Sequence, residues 1–309
     1  MRYHYYPGCS LEGTAREYDR STRAVLGALG VELLEIPDWT CCGASAAGAA
    51  GALLARVLPA RNLALAERQE TDGDVLAPCS ACYLNLRHAA QAMGTNPREA
   101  AAIRAVLAVE ELRPQGRVRV RHLLDVLAFD VGADRLAARV RRPLQGMRIA
   151  PYYGCQCLRP YADFDDPERP TSMEPLIRAL GAEVHRWRSG GACCGASLAS
   201  TQREAGLSRI AAILDDARGA DAVATVCPMC HMNLEAFQGP AGRRLRRDLA
   251  CRVLYLPQLI GLALGLPQKT RGRRSEPQRS TSKAPAQAAA RERIPEGAAD
   301  RMQGEEDRR

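Results

Sequence analysis

Short apolar segments alternate with longer amphipathic segments along most of this chain. Each short segment predicts a buried strand, and each longer one, with apolar residues at helical spacing, predicts a helix. The predicted strands cover, in chain order, residues 2–6, 31–36, 74–77, 148–152, 182–187 and 222–226. Strands that alternate with helices are typical of a parallel sheet covered on both faces. The pattern therefore predicts the α/β fold class.

The predicted helices occupy the intervals between these strands. Thr14 is expected to cap the first helix and Gly30 to end it, and Asn96 with Pro97 is expected to open a later one. In chain order the predicted helices cover residues 14–29, 49–67, 80–92, 96–112, 121–128, 172–180, 198–214, 228–237 and 257–264.

The same cysteine motif occurs twice. Residues 41–45 are Cys-Cys-Gly-Ala-Ser, residues 193–197 repeat them, and each copy has a Gly-Cys pair before it and a C-x-x-C after it. Ten of the twelve cysteines are matched in this way: the first cysteine group is Cys9, Cys41, Cys42, Cys79 and Cys82, and the second is Cys155, Cys193, Cys194, Cys227 and Cys230. Such self-similarity indicates two tandem structural units.

We expect each unit to be a small Rossmann-like parallel sheet with helices on both faces. The first unit is predicted over residues 1–131, a linker over 132–146 and the second unit over 147–266. Residues 267–309 contain few large apolar side chains, so this basic tail is predicted to be disordered.

The cysteines of each group follow directly after the predicted strands. Right-handed crossovers make such strands parallel, so their carboxyl ends lie at one edge of the sheet. Open α/β sheets bind their ligands at this edge. We therefore expect the five thiols of each group to lie close together.

Charge and hydropathy limit the function further. The net charge is +8, but half of it comes from the tail, and no basic motif interleaved with aromatics supports a nucleic-acid role. The N-terminus lacks the apolar segment of a signal peptide, and the most apolar run, residues 254–266, is too short to span a membrane. These features predict a cytoplasmic protein, where unpaired cysteines usually serve metal or redox chemistry.

The number of thiols separates the metal alternatives. A structural zinc site takes four ligands, and so does a standard cubane iron–sulfur cluster, whereas each group offers five thiols. The repeated fifth thiol favours a larger iron–sulfur centre. Zinc and a metal-free thiol redox site remain as alternatives. The helices predicted after Cys79 and Cys227 would favour the thiolate form that metals bind.

The sequence resembles the tandem CCG cysteine-rich domains found in the B subunit of heterodisulfide reductase. The similarity rests on residues 5–15, 39–44 and 153–156 and extends to about residue 266. It implies that each cysteine group holds one noncubane [4Fe-4S] cluster and that a disulfide is cleaved or formed between the two clusters. It also implies two partner proteins, a ferredoxin-like iron–sulfur subunit (the C subunit) and a flavin subunit (the A subunit), with a disulfide or thiol substrate such as protein-bound lipoate.

Two other functions stay open. The chain could instead be the electron-transfer CCG subunit of a lactate, glycolate or succinate-type dehydrogenase, or a zinc-stabilised scaffold. Cys157 lies beside the second group, where it is either a sixth thiol or, as we favour, a buried structural cysteine. Cys251 is expected in the core. His231 follows a cysteine of the second group, and we expect it to pack rather than to bind metal.

Overall fold

The structure, a computed structural model, describes residues 1–44, 46–69 and 71–272. The described residues belong to one compact unit. Among them, no helix combines the length and apolar character needed to cross a bilayer. Most of the predicted tail, residues 273–309, lies outside the described residues.

Two four-stranded parallel sheets form the framework. The strand order is β2-β1-β3-β4 in the first sheet and β6-β5-β7-β8 in the second. The strands are β1 (Arg2–Tyr5), β2 (Glu32–Glu35), β3 (Asp74–Ala77), β4 (Val120–His122), β5 (Arg148–Tyr152), β6 (Glu183–Val184), β7 (Ala222–Thr225) and β8 (Val253–Tyr255). Because the two orders are equivalent, both halves have the same topology, and the predicted α/β fold of two tandem units is confirmed.

The strands are paired in the same register in the two sheets. Tyr5 pairs with Leu76 in the first sheet, and the equivalent Pro151 pairs with Ala224 in the second. The central strands are almost completely buried, so their continuous apolar sequences suit a sheet covered on both faces.

Helices connect the strands and cover the sheets. They are α1 (Gly8–Glu12), α2 (Arg16–Ala28), α3 (Ala46–Ala50), α4 (Leu54–Glu67), α5 (Ser80–Thr95), α6 (Pro97–Leu107), α7 (Leu123–Asp125), α8 (Ala133–Ala137), α9 (Met173–Ala179), α10 (Leu198–Thr201), α11 (Arg203–Asp216), α12 (Pro228–Ala236), α13 (Gln238–Leu245), α14 (Leu256–Ala263) and α15 (Gln268–Arg271). A 3-10 turn at Ala108–Glu110 and a π-helical turn at Val126–Val131 complete the first half.

Several helix ends follow the local sequence. Asn96 caps α6 by accepting a hydrogen bond from the backbone N–H of Glu99, with Pro97 in the first turn, as predicted. Gly30, at a φ of 71°, follows the end of α2 as predicted. The predicted cap at Thr14 is wrong, because α2 begins two residues later and Ala15 precedes it without a side-chain cap.

The sequence pattern missed the fourth strand of each sheet, β4 and β8. Residues 121–128 were predicted as one helix, but β4 ends at His122 before the short helix α7 begins. A three-residue strand is too short for its periodicity to be recognised. The helix predicted over 49–67 is also divided, into α3 and α4, and within the predicted linker the chain forms α8.

One large apolar cluster contains buried residues of both halves. Helix α2 of the first half packs against α14 of the second, and the same buried cluster contains Leu26 of α2 with Leu259 and Ile260 of α14. Helix α15 also packs on α2, so the first residues of the predicted tail are helical. The shared cluster fixes the position of one cysteine group relative to the other.

Candidate functional site

The first cysteine group lies at the carboxyl edge of the first sheet. Cys9 is in α1 just after β1, Cys41 and Cys42 lie in the loop after β2, and Cys79 and Cys82 stand at the start of α5 after β3. Three parallel strands thus deliver all five thiols to one edge, as the order of elements predicted. Cys9 and Cys41 are exposed, whereas the other three thiols are buried.

The thiols of this group form close pairs without disulfide bonds. The Sγ atoms of Cys9 and Cys41 are 3.6 Å apart, and those of Cys42 and Cys82 are 3.5 Å apart. A disulfide would bring the two sulfurs to about 2.05 Å. The backbone of Gly8 lies so close that a Cβ there would be 2.7 Å from the Cys82 Sγ, which explains the glycine of the Gly-Cys pair.

The second group repeats this arrangement. Cys193 is hydrogen-bonded to Cys155, and Cys230 is hydrogen-bonded to both Cys194 and Cys227. Gly154 again lies against the last thiol, because a Cβ there would be 3.0 Å from the Cys230 Sγ. The structure therefore brings together the five predicted thiols of each group and pairs them in the same way in both halves.

Hydrogen bonds between thiols divide each group into acidic and less acidic members. The hydrogen bond with Cys82 lowers the pKa of Cys42 to about 6, and the hydrogen bond with Cys155 lowers the pKa of Cys193 to about 5. The hydrogen bond with Cys230 lowers the pKa of Cys227 to about 7, and backbone N–H groups at the start of α12 add to this effect. Thiolates are the form in which cysteine binds metals, so this environment suits metal ligation.

Two asparagines, one in each half, orient the Cys-Cys-Gly loops. The Nδ2 of Asn85 donates to the backbone oxygens of Cys42 and Ala44, at 3.2 and 3.1 Å, and lies 3.6 Å from the Cys42 Sγ. Asn233 makes the equivalent contacts with the oxygen and the Sγ of Cys194. Both asparagines were missed from the sequence, although their matched places in the repeat were a usable signal.

Two tyrosines, one in each half, hydrogen-bond to the same loops. The hydroxyl of Tyr6 donates to the carbonyl of Thr40, and that of Tyr152 donates to the carbonyl of Ala192, each at 2.7 Å. These carbonyls directly precede Cys41 and Cys193. Each tyrosine stands two residues before the repeated Gly-Cys pair, and this second signal in the sequence was also missed.

A single tyrosine connects the two groups. The hydroxyl of Tyr18 lies 3.0 Å from the carbonyl oxygen of Pro78 and 3.0 Å from that of Val226. Pro78 immediately precedes Cys79, and Val226 immediately precedes Cys227. The Oγ of Ser80 also reaches the Val226 carbonyl, at 3.4 Å. The two groups are therefore joined through buried protein atoms.

Comparison with known proteins identifies the repeat. The family model for the CCG cysteine-rich domain matches residues 3–87 and again residues 149–235. The chain belongs to the CCG cysteine-rich domain family. Each matched region ends shortly after the C-x-x-C motif, so the two domains of this CCG protein coincide with the two cysteine groups.

Similar proteins align over most of the chain. The 8-methylmenaquinol:fumarate reductase membrane anchor subunit of Wolinella succinogenes is 37% identical, over 87% of this chain and 94% of that protein. A protein of Archaeoglobus profundus that is named as similar to the B subunit of heterodisulfide reductase is 30% identical, over 88% and 94%. The B subunit of the ferredoxin:CoB-CoM heterodisulfide reductase of Methanosarcina mazei is 28% identical, over 84% and 87%. These relatives indicate an iron–sulfur oxidoreductase subunit.

A solved structure has the same fold. A hypothetical protein from Helicobacter pylori superposes with a TM-score of 0.70 over 88% of this chain, at 16% sequence identity. The CCG protein spans 50% of that chain's length. At this identity the similarity concerns the fold alone.

The donor set of the CCG protein fits iron–sulfur chemistry. Each group consists only of thiols, the ligands that iron–sulfur clusters take, and several of these thiols have a lowered pKa. Among the described residues, no three His, Cys, Asp or Glu side chains surround a position for a single metal ion. That each group holds a cluster, and of what type, stays a prediction.

The remaining candidates lie around these groups. The buried thiol of Cys157 donates to the carbonyl of Tyr153 at 3.1 Å, and burial raises its pKa to about 12. Burial also raises the pKa of Cys251, to about 11. The ring of His231 stacks on Tyr255, with centroids 4.3 Å apart. This packing agrees with the role expected for His231.

Proposed function

We propose that this CCG protein is the iron–sulfur electron-transfer subunit of a multi-subunit oxidoreductase of the fumarate reductase or succinate dehydrogenase type. In this proposal, the first and second cysteine groups each hold one noncubane [4Fe-4S] cluster. The clusters supply one-electron chemistry. The chain binds them through its thiolates, fixes their separation and shields their inner sides from water.

The observation that carries this proposal is the buried connection through Tyr18. Its hydroxyl contacts the carbonyls next to Cys79 and Cys227, and the Tyr18 side chain is completely buried. Tyr255, stacked on Tyr18, is also buried. Protein side chains therefore occupy the position between these two cysteines. A short path through packed atoms suits the passage of electrons from one group to the other.

The relatives support this assignment. The fumarate reductase subunit is 37% identical, and the heterodisulfide reductase relatives are 27–30% identical. The dehydrogenase interpretation of the sequence thereby gains support over the heterodisulfide interpretation. The partners we propose are a flavin subunit, together with a ferredoxin-like subunit, because the five-cysteine groups offer no ferredoxin-type motif (C-x₂-C-x₂-C) of their own.

The test compares two activities of the assembled complex purified without oxygen. Cys42→Ala and Cys194→Ala should each abolish electron transfer from a quinol to fumarate. Fumarate reduction by a small reduced dye, which bypasses this subunit, should be retained. Quinol-dependent activity at the wild-type rate in both variants, with the iron content lowered, would contradict an electron-transfer role.

A second candidate function is the reductive cleavage of a disulfide, or in the reverse direction its formation from two thiols. Cys9 and Cys41 are exposed, so a disulfide such as protein-bound lipoate could approach the first group from solvent. Cleavage consumes two electrons and two protons and yields two thiols, with the electrons coming from the ferredoxin-like partner. Lipoamide or another disulfide added to the oxidised protein should then change its EPR spectrum. Unchanged spectra with every disulfide tested would exclude this function.

A further inference from the structure

The two cysteine groups differ in the charge of a side chain that lies beside their Cys-Cys-Gly loops. Gly43 and Gly195 follow the two Cys-Cys pairs and have φ angles of +83° and +73°. A Cβ at Gly43 would lie 3.2 Å from the Cδ1 of Leu58, and a Cβ at Gly195 would lie 3.5 Å from the Cδ of Arg209. Leu58 of α4 and the exposed Arg209 of α11 thus each lie beside one of the two loops. One group has an apolar side chain there, and the other has a cation.

Among the residues that the structure describes, the exposed Arg209 has no partner that neutralises its charge. Its guanidinium makes no hydrogen bond or ion pair with any other residue in the described ranges. Arginine is always protonated, so this side chain is a permanent positive charge. A cation without a carboxylate partner acts on whatever negative charge lies beside it, here the thiolates of the second group.

A second arginine stands near the same thiols. Arg159 follows Cys155 by four residues, at the position that Gly13 occupies after Cys9. Its guanidinium donates to the carbonyls of Pro167 and Gly191, and Gly191 lies two residues before Cys193. Glu168, which is highly exposed, pairs with it at 3.3 Å.

The second group is also less exposed than the first. Cys155 and Cys193 are half-buried, whereas their counterparts Cys9 and Cys41 are exposed. Burial disfavours the addition of negative charge, because the charge loses contact with water. Without compensation, a centre held by the second group would be harder to reduce. Reduction potentials of iron–sulfur centres depend on net charge, hydrogen bonds to sulfur and exposure, so nearby cations can offset this cost.

We propose that Arg159 and Arg209 raise the reduction potential of the centre held by the second cysteine group relative to the centre held by the first. This inference rests on the proposed function, since it requires an iron–sulfur centre at each group. Reduction adds one negative charge to a centre, and a guanidinium beside it stabilises the reduced form. The two arginines act on the centre electrostatically, through space.

The experiment removes the cation beside the second group and introduces one beside the first. Wild type, Arg209→Leu and Leu58→Arg are prepared without oxygen with both centres in place, and each centre is titrated potentiometrically with EPR detection. Arg209→Leu should lower the potential of one centre, and Leu58→Arg should raise that of the other. A tenfold change in the one-electron equilibrium would correspond to about 59 mV. The single-centre variants Cys42→Ala and Cys194→Ala assign the two signals.

Arg209→Lys is the matched control, because it keeps the charge and changes the shape. It should leave the potential close to that of the wild type. The shift in Arg209→Leu should also shrink as salt is raised, since the screening length falls from about 10 Å at 0.1 M to about 3 Å at 1 M.

The outcomes separate this inference from the proposed function. A preparation that lacks iron and sulfide would contradict the proposed function and the inference with it. Centres present at normal content, with potentials unchanged in both Arg209→Leu and Arg159→Met, would overturn the inference alone. A shift in Arg209→Lys as large as that in Arg209→Leu would also overturn it, because the effect would then not come from charge.

Discussion

Tyr18 of the first half stacks face to face on Tyr255 of the second half, with ring centroids 4.1 Å apart and planes inclined by 2°. The hydroxyl of Tyr18 lies between the carbonyls of Pro78 and Val226, which precede Cys79 and Cys227. Burial strongly raises the pKa of Tyr18, so its hydroxyl stays protonated and can donate. Tyr18 therefore joins the two halves and, by the same contacts, fixes the distance between the two cysteine groups.

Tyr18→Phe should destabilise the protein by about 1–3 kcal/mol, the cost of leaving a buried polar group without its partner. The variant keeps the ring stacked on Tyr255 and removes only the hydroxyl. Both carbonyls lose the donor that they share, although Val226 keeps its longer contact with Ser80. Denaturant unfolding of wild type and variant measures the difference.

Tyr161→Phe is the control for this substitution. Its hydroxyl also lies at the contact between the halves, where it meets His88 and Gln91, but this site is only partly buried. Water can replace the lost hydrogen bond, so the expected cost is smaller. A larger cost for Tyr161→Phe than for Tyr18→Phe would contradict the central role of Tyr18.

Most of the strands and helices could be predicted, because the order of strands, helices and cysteines within each unit can be read locally along the sequence. The strand-to-cysteine order in each unit, with Cys79 directly after its strand and Pro78, was enough to place the five thiols at one sheet edge. Neither spacing nor periodicity could reveal the Tyr18 link, since Tyr18 and Val226 are 208 residues apart. Contacts between the halves depend on how the shared cluster packs, and a single sequence carries no local signal for that.

The supporting residues were missed for a different reason. Tyr6, Tyr152, Asn85 and Asn233 are in matched places in the repeat, but tyrosine and asparagine are not iron ligands. Their function is to hold backbone carbonyls of the cysteine loops. The repeat therefore marks these polar positions as well as the cysteines.

Gly43→Ala should destabilise the protein by more than about 1–2 kcal/mol, the cost of a left-handed backbone for a residue with a Cβ. The φ of Gly43 is +83°, and the new Cβ would lie 2.6 Å from the Cβ of Ala47. The loop would have to move, so the variant should also retain less iron. Unfolding free energy and iron content report the two effects.

Gly27→Ala is the matched control. Gly27 lies inside α2, and a Cβ there would meet no atom within 4 Å. Alanine should stabilise this helix by about 0.8–1 kcal/mol because it is the better helix former. Similar losses for Gly27→Ala and Gly43→Ala would show that the effect at Gly43 is not specific to the loop.

Asn85→Ala should weaken the first centre and leave the second intact. The loop that carries Cys42 would lose the side-chain donor to two of its carbonyls. Asn233→Ala should affect the second centre alone. Iron analysis and EPR of each variant should show one of two signals diminished. Asn96→Asp, which preserves a helix cap far from the thiols, should leave both signals unchanged.

His122 should make the protein less stable as the pH falls below neutrality. It is completely buried, its Nδ1 accepts from the N–H of Leu124, and its Nε2 lies 3.2 Å from the Ser80 Oγ. Burial lowers its pKa to about 3, so the folded protein keeps this ring neutral. The unfolded chain, with an ordinary histidine pKa near 6.5, takes up a proton at about pH 6.5 and below, and this uptake favours unfolding. Stability from this residue is therefore present above about pH 6.5 and is lost as the pH falls towards 3.

The expected loss from His122 is about 2 kcal/mol between pH 7.5 and pH 5, at about 1.4 kcal/mol per pH unit below 6.5. His122→Asn keeps an oxygen that can accept the N–H of Leu124, but it does not titrate. This variant should be less stable than wild type at pH 7.5 and should lose less stability on acidification. Denaturant unfolding at both pH values gives the two slopes. Equal pH dependence in wild type and variant would mean that the folded protein binds a proton at His122 as readily as the unfolded chain does.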